Sequence, residues 1–370
     1  MNHQRLEKLR AQMAAQDIDG IALMPGPNML YFTGISSHVS ERPIILFIPA
    51  ADDPAIVIPT LEAMKARNAG IPEGHIFGWT DQEGYEAAFE QISAKLQLAG
   101  WMLGVEALYM RVLEHELLQQ YAPGVQIVHA EPSIYALRAV KDETEIAAME
   151  KAVLVAENAM TSLLPRIKIG MSEKQVAAML TQELLTGGAE SIAFGPIVAS
   201  GPNSASPHAW PTDRPLQDGD LLVIDWGVYV DGYPSDITRT FAVGEIEAEL
   251  KHIYETVKLS NSMGKKAAKP GATGQDVDRA ARKVIDDAGY GEQFFHRTGH
   301  GLGLEVHEEP NMVEGNLESL IPGNVFTVEP GIYLTGRGGV RIEDDVVITT
   351  DGCRSLTSFS RDLITVGADG

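Results

Sequence analysis

Acidic residues stand inside apolar segments in the second half of the chain, and this feature limits the possible folds most strongly. The run Leu221–Val230 is typical of a buried strand, with Asp225 at its centre. A lone ionised carboxylate in a protein interior costs several kcal/mol unless it is paired with a cation or bound to a metal. Asp236 opens a second strand-like run, and the turn signal Asp231-Gly232 lies between the two acids. We therefore expect a hairpin that brings the two carboxylates side by side.

On its own, this pair has an equally good structural explanation, in which Asp225 pairs with Arg239 and Asp236 caps a turn. Three further segments favour a functional cluster: one sets a histidine among glycines, which permit close approach of the backbone to a ligand, and two place glutamates in apolar strands. These segments are Arg297–Gly303 with His300, Asn324–Gly331 with Glu329, and Gly339–Val346 with Glu343. In the last segment, a single continuous strand would put Arg341, Glu343 and Asp345 on one face.

The charge of this set predicts what it binds. Four clustered carboxylates could not all stay ionised without cations. Two divalent metal ions would neutralise them, and the neutral imidazole of His300 would add a nitrogen ligand. A water molecule between the two metals could then become hydroxide. Oxygen-rich ligation favours Mn²⁺, with Co²⁺ and Zn²⁺ as alternatives.

The sequence resembles the pita-bread metallopeptidases, in the branch of prolidase and aminopeptidase P. Five residues match that family's dinuclear metal ligands in order, in residue type and in local sequence: Asp225, Asp236, His300, Glu329 and Glu343. The resemblance implies that Asp225 chelates one metal, that Asp236 and Glu343 bridge both, and that His300 and Glu329 bind the second. It also makes Glu329 the candidate general base.

The resemblance further implies roles for residues around the metals. His208 and His307 would hydrogen-bond the scissile carbonyl or the tetrahedral oxyanion. His296, Tyr333 and Arg341 are candidates for binding the substrate. With Trp210 beside them, the aromatic and imidazole rings could pack the pyrrolidine ring of a proline, although Trp210 and Tyr333 could equally be core residues.

The expected activity is hydrolysis of the Xaa-Pro bond at the N-terminus of dipeptides or short peptides. A strict dipeptidase needs a cation for the free carboxylate of its substrate, and Arg297 and Arg341 are the nearby candidates. Some prolidases carry an arginine shortly after the position of His307, where this chain has Glu308–Asn311 and no base. The choice between dipeptidase and aminopeptidase therefore stays open.

Four alternative functions share features of this sequence. A methionine aminopeptidase uses the same ligands but resembles only the C-terminal domain. A creatinase-type amidinohydrolase shares both domains but lacks the five ligands, and a metal-free binding module would have lost some of them. Some members of the fold act on small osmolytes or sulfonium compounds. The alternative function is therefore that of a hydrolase or lyase of the same fold that acts on a small non-peptide amide or osmolyte.

Two domains are expected. Strand-like and helical segments alternate over residues 1–133, which predicts an α/β domain. The family resemblance implies that this domain is of the creatinase N-terminal type. Residues 134–370 would form the α+β pita-bread catalytic domain, starting with a long amphipathic helix over Glu143–Leu164. At an offset of 101 residues the sequence shows four identities, one of them Phe194 with Phe295, and Ser172 pairs with Thr273 as a second plausible helix N-cap. This suggests either a duplicated αα-then-β unit or two helices with the same capping pattern.

The amino-acid composition limits the classes of partner that the protein can bind. With 51 acidic and 29 basic residues the formal net charge is −22, which disfavours binding to nucleic acid or to an anionic membrane. Cys353 is the only cysteine, so neither an internal disulfide nor a multi-cysteine metal site can form. We expect a cytoplasmic protein with a peptide substrate. The resemblance implies a homodimer, in which the polar segment Ser36–Pro43, with His38 and Arg42, is a candidate cap over the partner's site.

Overall fold

The computed structural model describes residues 1–367 and divides after Arg138 into two compact units. The expected boundary after residue 133 falls inside a short helix, Glu131–Arg138, which belongs to the first unit. No helix among the described residues is long and apolar enough to span a bilayer.

The first unit is an α/β layer built on one mixed sheet of six strands. The strands are β1 (Gly20–Leu23), β2 (Ile45–Pro49), β3 (Ala55–Pro59), β4 (Ile76–Trp79), β5 (Met102–Val105) and β6 (Gln126–His129). Their order is β4-β3-β2-β1-β5-β6, with β2 antiparallel to both of its neighbours and the other pairs parallel. The helices are α1 (His3–Ala15), α2 (Pro27–Thr33), α3 (Ala63–Asn68), α4 (Glu86–Leu96), α5 (Val112–Tyr121) and α6 (Glu131–Arg138). The expected α/β class is confirmed.

Short elements of this unit carry little periodic signal in the sequence. The seven-residue helix α2 starts with Pro27 and ends at Gly34, which has a φ of 78° and closes the helix with a hydrogen bond to the Leu30 carbonyl. It buries most of its side chains, so no polar face marks it as a helix. Strand β4 contains Gly78, whose missing side chain leaves room for Thr60.

The second unit combines four long helices with two main sheets. The helices are α7 (Glu143–Leu163), α8 (Glu173–Thr186), α9 (Ala248–Ala267) and α10 (Gly274–Asp287). The four-stranded sheet contains β8 (Ile197–Ser200), β9 (Leu221–Trp226), β12 (Ile237–Val243) and β20 (Thr365–Val366). The five-stranded sheet contains β13 (Gly299–Gly301), β14 (Glu308–Met312), β15 (Val325–Val328), β18 (Asp344–Ile348) and β19 (Cys353–Ser355). The strand pairs of both sheets are antiparallel except for the parallel pair of β12 with β20. Smaller sheets are formed by β7 (Ser191–Ile192), β10 (Val228–Val230) and β11 (Tyr233–Pro234), and by β16 (Gly331–Leu334) with β17 (Gly338–Arg341).

The expected hairpin around Asp231-Gly232 forms. Strands β9 and β12 are antiparallel, with Thr238 opposite Asp225, so that Asp236 stands directly before the paired segment. The expectation of one continuous strand over residues 339–346 is wrong. The chain leaves the small sheet after Arg341 and enters the five-stranded sheet at Asp344, and Glu343 lies at the break.

Both predicted helix caps are present. Ser172 begins α8 and Thr273 begins α10, and each side chain accepts a hydrogen bond from the backbone N–H three residues later. The side chain of the residue at that position, Gln175 or Asp276, in turn accepts a hydrogen bond from the backbone N–H of the cap, so each helix starts with a capping box.

The cap of α8 gives a stability prediction. Ser172→Ala leaves the Gln175 N–H without its partner and is expected to lower the free energy of unfolding by about 1 kcal/mol. Ser172→Gly is the matched control, with an expected loss of only a few tenths of a kcal/mol, roughly the usual cost of glycine at this position. Urea denaturation followed by circular dichroism measures both, and equal losses would contradict the capping role.

Candidate active site

Five elements deliver the expected metal ligands to one cavity of the second unit, with a volume of about 670 Å³. Two acids come from the four-stranded sheet, Asp225 within β9 and Asp236 directly before β12. Two residues come from the five-stranded sheet, His300 within β13 and Glu329 directly after β15. Glu343 comes from the break between β17 and β18, and all five side chains line the cavity.

The side chains are close enough to share metal ions. One ligand atom each from Asp236, His300 and Glu343 lies within 4.8 Å of the other two. The His300 Nε2 atom lies 3.6 Å from Asp236 Oδ2 and 3.3 Å from Glu329 Oε1. The Glu329 side chain is 15% exposed and the His300 side chain 4%, so the cluster is buried except where it opens to the cavity.

The hydrogen bonding of Asp225 supports metal binding. Its Oδ2 accepts a hydrogen bond from Arg341 Nη2 at 2.6 Å, while its Oδ1 is buried without a hydrogen-bond partner among the described residues. A buried carboxylate oxygen without a partner is costly unless a cation coordinates it. Arg341 alone cannot neutralise four acids, so the residues present fit divalent metal ions, as the sequence predicts.

The pKa values show how strongly the acids need a cation. Burial and the neighbouring carboxylates Glu343 and Asp225 raise the pKa of Asp236 well above its usual range. Burial, Glu329 and Asp225 do the same to the pKa of Glu343. Burial raises the pKa of Glu329 to about 7, although the charge of Arg341 opposes the shift. In the protein without metal, these acids therefore hold protons that a divalent cation would replace.

The imidazole of His300 is prepared as a neutral ligand. Burial, together with His307, lowers its pKa to about 3. Its Nδ1 atom lies 3.1 Å from the Gly301 carbonyl and so carries the proton, which leaves the Nε2 lone pair directed at the carboxylates.

Hydroxyl groups hold the other ligands. Thr238 donates a hydrogen bond to Glu343 Oε2 at 2.6 Å. Thr327 donates to Glu329 Oε1 at 3.1 Å and accepts from the backbone N–H of His300. Neither threonine was expected from the sequence, although Thr238 lies two residues after Asp236 and Thr327 two residues before Glu329, a spacing that in extended backbone puts both side chains on the same face.

The glycines beside His300 have a different role from the expected one. A side chain at Gly299 would meet the Thr327 carbonyl oxygen at 1.8 Å, and one at Gly301 would meet the Glu309 carbonyl oxygen at 2.2 Å. The missing side chains therefore let β13 pack against its neighbouring strands, whereas the sequence suggested close approach to a ligand.

The alternative pairing of Asp225 with Arg239 is wrong. Arg239 donates to Asp344 Oδ1 at 2.7 Å on the side of the strand away from the cavity, and Lys265 also contacts Asp344. Asp225 pairs with Arg341 instead.

The remaining candidates lie on the cavity wall or directly behind it. His208 and His307 line the cavity, and the His307 ring centroid lies 4.2 Å from that of His300. His296 also lines it, and its Nε2 atom lies 2.9 Å from the Tyr333 hydroxyl. Tyr333 is buried behind His296 and Arg341, while Trp210 lines the cavity and is 80% exposed.

An apolar part of the wall was not expected from the sequence. Phe194, Ile197 and Val306 line the cavity next to Trp210. The sequence held one weak signal for Phe194. The match at an offset of 101 residues aligns it with Phe295, whose ring centroid lies 5.4 Å from that of Tyr333 behind the cavity.

Two family models and several known proteins match the chain. The family model described as metallopeptidase family M24 matches residues 147–350, and that of the creatinase/prolidase N-terminal domain matches residues 5–140. The chain is 40% identical to a putative dipeptidase, YkvY, of Bacillus subtilis, over 91% of this chain and 93% of that protein. It is 37% identical to a probable dipeptidase, PepE, of Mycobacterium tuberculosis, over 98% and 96%.

Solved structures also match the chain over nearly its whole length. A prolidase from Thermococcus sibiricus superposes with a TM-score of 0.93 at 35% identity, over 99% of this chain and 100% of that one. A Xaa-Pro dipeptidase from Bacillus anthracis superposes with a TM-score of 0.90 at 32% identity, over 98% and 99%.

Removal of metal is expected to destabilise the protein in a pH-dependent way. Because burial and mutual repulsion raise the pKa values of Asp236, Glu329 and Glu343 in the folded state, these three groups stabilise the metal-free protein most at low pH. Their contribution should be lost as the pH rises from the ordinary range of carboxyl groups through about 7, the folded-state pKa of Glu329. Added Mn²⁺ should therefore raise the melting temperature far more at pH 8 than at pH 5.

Thermal melts of chelated and Mn²⁺-loaded protein at the two pH values measure this effect. At one hundred times its Kd, a metal ion contributes about 2.7 kcal/mol. The double variant Asp236→Asn/Glu343→Gln is the control, and its melting temperature should not respond to Mn²⁺. A wild-type melting temperature that ignores Mn²⁺ at pH 8 would contradict a metal site here.

Proposed function

Because the chain belongs to metallopeptidase family M24 and contains a creatinase/prolidase N-terminal domain, we propose that it hydrolyses the Xaa-Pro bond at the N-terminus of dipeptides or short peptides. The observation that carries the proposal is the buried cluster of four carboxylates and one neutral imidazole beside an apolar wall. Two divalent metal ions would be held by Asp225, Asp236, His300, Glu329 and Glu343. When bound, the metal ions would polarise the scissile carbonyl and lower the pKa of a water molecule towards neutral.

Glu329 is proposed as the general base. Its side chain opens to the cavity, with 15% of its surface exposed. Thr327 fixes its Oε1 atom, which keeps the carboxylate in one orientation. Glu329 would take the proton of the attacking water and pass it to the leaving proline nitrogen. That nitrogen has no hydrogen in the Xaa-Pro amide and must gain one for the bond to break.

His208 and His307 are proposed to stabilise the developing negative charge on the carbonyl oxygen. Both rings line the cavity next to the ligands. Burial and the charge of Arg297 lower the pKa of His307, so its imidazole is neutral at neutral pH and offers one N–H donor. Such donors stabilise the tetrahedral oxyanion more than the ground-state carbonyl.

The apolar wall is proposed to select proline. Phe194, Ile197, Val306 and Trp210 present hydrocarbon surface to the cavity, which suits a pyrrolidine ring. His296 completes the wall as a neutral ring, since burial lowers its pKa to about 4. Its Nδ1 atom lies 2.7 Å from the Arg297 carbonyl and so carries the proton, which leaves Nε2 to accept from the Tyr333 hydroxyl.

The metal and the assembly are also part of the proposal. A ligand set of four carboxylates and one imidazole favours Mn²⁺ over softer ions. The family resemblance suggests a homodimer, which light scattering of the active enzyme would test.

The general-base assignment predicts a large loss of turnover. Glu329→Gln keeps the shape of the side chain but removes the proton acceptor, and we expect kcat to fall by at least about two orders of magnitude. His208→Ala and His307→Ala should each lose roughly 10²–10³-fold in kcat, as oxyanion donors do. His252→Ala, on the exposed face of α9, is the control and should behave like wild type.

Metal content is measured alongside the kinetics. A Glu329→Gln enzyme with full metal occupancy and near-normal kcat would assign the base to another residue.

The proline pocket predicts substrate selection. Ala-Pro should exceed Ala-Ala by at least about tenfold in kcat/KM at saturating Mn²⁺, a modest demand on a ring-shaped pocket. Steady-state kinetics on the two dipeptides measures the ratio. Equal values would move the assignment to a peptidase without proline preference, and no cleavage of either would favour a small non-peptide substrate.

A further inference from the structure

We propose that Glu173 is a positioning residue, which holds the loop that carries His208 beside the candidate metal ligands. The His208 loop, residues 201–212, follows β8 and lines the cavity with His208 and Trp210 among others. Glu173 lies in the first turn of α8 and does not line the cavity itself. The proposal rests on the proposed function in one respect, the role of His208 as a donor to the carbonyl oxygen.

The Glu173 carboxylate joins the two ends of the His208 loop. Its Oε1 atom accepts hydrogen bonds from the backbone N–H of Ser200 at 2.6 Å and from the Ser200 hydroxyl at 2.8 Å. Its Oε2 atom accepts from the backbone N–H of Thr212 at 2.9 Å, from the Thr212 hydroxyl at 2.6 Å and from Asn203 Nδ2 at 2.8 Å. Glu173 is fully buried. Its five hydrogen bonds therefore fix the distance between the residue before the loop and the last residue of the loop.

Each partner of Glu173 is fixed as a donor, so that the position requires a carboxylate. Backbone N–H groups and the Asn203 Nδ2 group can only donate. The Ser200 hydroxyl accepts from Arg214 Nη1 at 2.7 Å, and the Thr212 hydroxyl accepts from the Arg214 backbone N–H at 3.1 Å. Both hydroxyl protons are therefore directed at Glu173. A side chain with acceptors on both sides satisfies all of these donors, and a neutral amide cannot.

The middle of the His208 loop is attached to the candidate metal site. Arg341 Nη1 donates to the Pro207 carbonyl at 3.1 Å, and Arg341 Nη2 donates to Asp225 Oδ2 at 2.6 Å. His208 follows Pro207 directly in the chain. Its backbone is thus held between Arg341 at the middle of the loop and Glu173 at the two ends, which sets where the imidazole stands relative to the ligands.

The start of α8 does not by itself require an acid at residue 173. The capping box of Ser172 already closes the helix N-terminus. In α10, which starts with an equivalent box at Thr273, the next residue is Gly274. A side chain there would meet the Asn311 carbonyl oxygen at 2.3 Å. The two helices therefore begin alike, and the carboxylate of Glu173 serves the loop that only α8 contacts in this way.

The variant Glu173→Gln tests the proposal because it keeps the shape and turns one acceptor into a donor. In either orientation its amide nitrogen faces donors, so at least two of the five hydrogen bonds are lost. With saturating Mn²⁺ we expect kcat for Ala-Pro to fall about 10- to 30-fold and KM to stay within about threefold, because an oxyanion donor acts on the transition state. Glu143→Gln is the matched control and should keep the wild-type kcat, since Glu143 is exposed and directly follows the capping residue of α7.

A double-variant cycle separates positioning from a general loss of structure. In the His208→Ala background, Glu173→Gln should change kcat by less than about threefold, because the group that Glu173 positions is already gone. Equal factors in the two backgrounds would mean that Glu173 does not act through His208, and would overturn the proposal.

Hydrogen exchange measured by mass spectrometry tests the loop without any substrate. In Mn²⁺-loaded Glu173→Gln, peptides that cover residues 200–212 should exchange at least about tenfold faster than in wild type, whereas Glu143→Gln should leave them unchanged. Asn203→Asp keeps Glu173 and puts a second carboxylate against its Oε2 atom. This variant should also speed exchange of the loop and lower kcat about tenfold, so poor folding of Glu173→Gln would not prevent the test.

The outcomes separate the two proposals. Unchanged exchange of the His208 loop in a folded Glu173→Gln or Asn203→Asp variant would overturn the role of Glu173 while the proposed function stands. If the wild-type enzyme cleaves no Xaa-Pro dipeptide with Mn²⁺, Co²⁺ or Zn²⁺, the proposed function fails, and the exchange measurement still decides whether Glu173 holds the loop.

Discussion

Four carboxylates that face one buried cavity repel one another, and the surrounding structure is arranged to hold them there. A single arginine, Arg341, pairs with one of them, which is too little positive charge to keep all four ionised. The raised pKa values of Asp236, Glu329 and Glu343 express this shortage. The folded protein can lower this cost with protons or with metal ions, so occupancy of the site and stability are coupled.

A second set of contacts holds the ligand carboxylates in position and keeps nearby cationic side chains away from them. Thr238 and Thr327 each bind one ligand carboxylate. Behind the cavity, Asp344 is satisfied by Arg239 and Lys265, so these cations are held on the far side of the strand. Asp345 accepts the backbone N–H of Asp236 at 3.0 Å and so fixes the start of β12. Three consecutive acids, residues 343–345, thus serve three different purposes, because Glu343 lies at the break before β18 and lines the cavity, whereas Asp344 and Asp345 within β18 point to opposite sides of the strand.

The chemistry of the cavity wall depends on which charges the fold leaves unpaired. The two guanidinium groups of the cavity are chemically identical, yet Arg341 is bound by Asp225 and Arg297 by a neutral amide. Burial keeps the imidazoles of His296 and His300 neutral. The wall therefore combines apolar surface with the positive charge of Arg297.

The amino-acid sequence by itself determined the acids inside apolar runs, the hairpin around Asp231-Gly232 and the caps Ser172 and Thr273, since each rests on local pattern: an acid in an apolar run, a turn dipeptide, or a capping residue before a helix. The tertiary structure decided every pairing between distant segments. It assigned Arg341 to Asp225 and Arg239 to Asp344, broke the expected strand at Glu343, and used the glycines beside His300 for strand packing. The physical reason is that an ion pair or a close backbone contact depends on which strands become neighbours, and residues 225 and 341 carry no mark of that in their own surroundings.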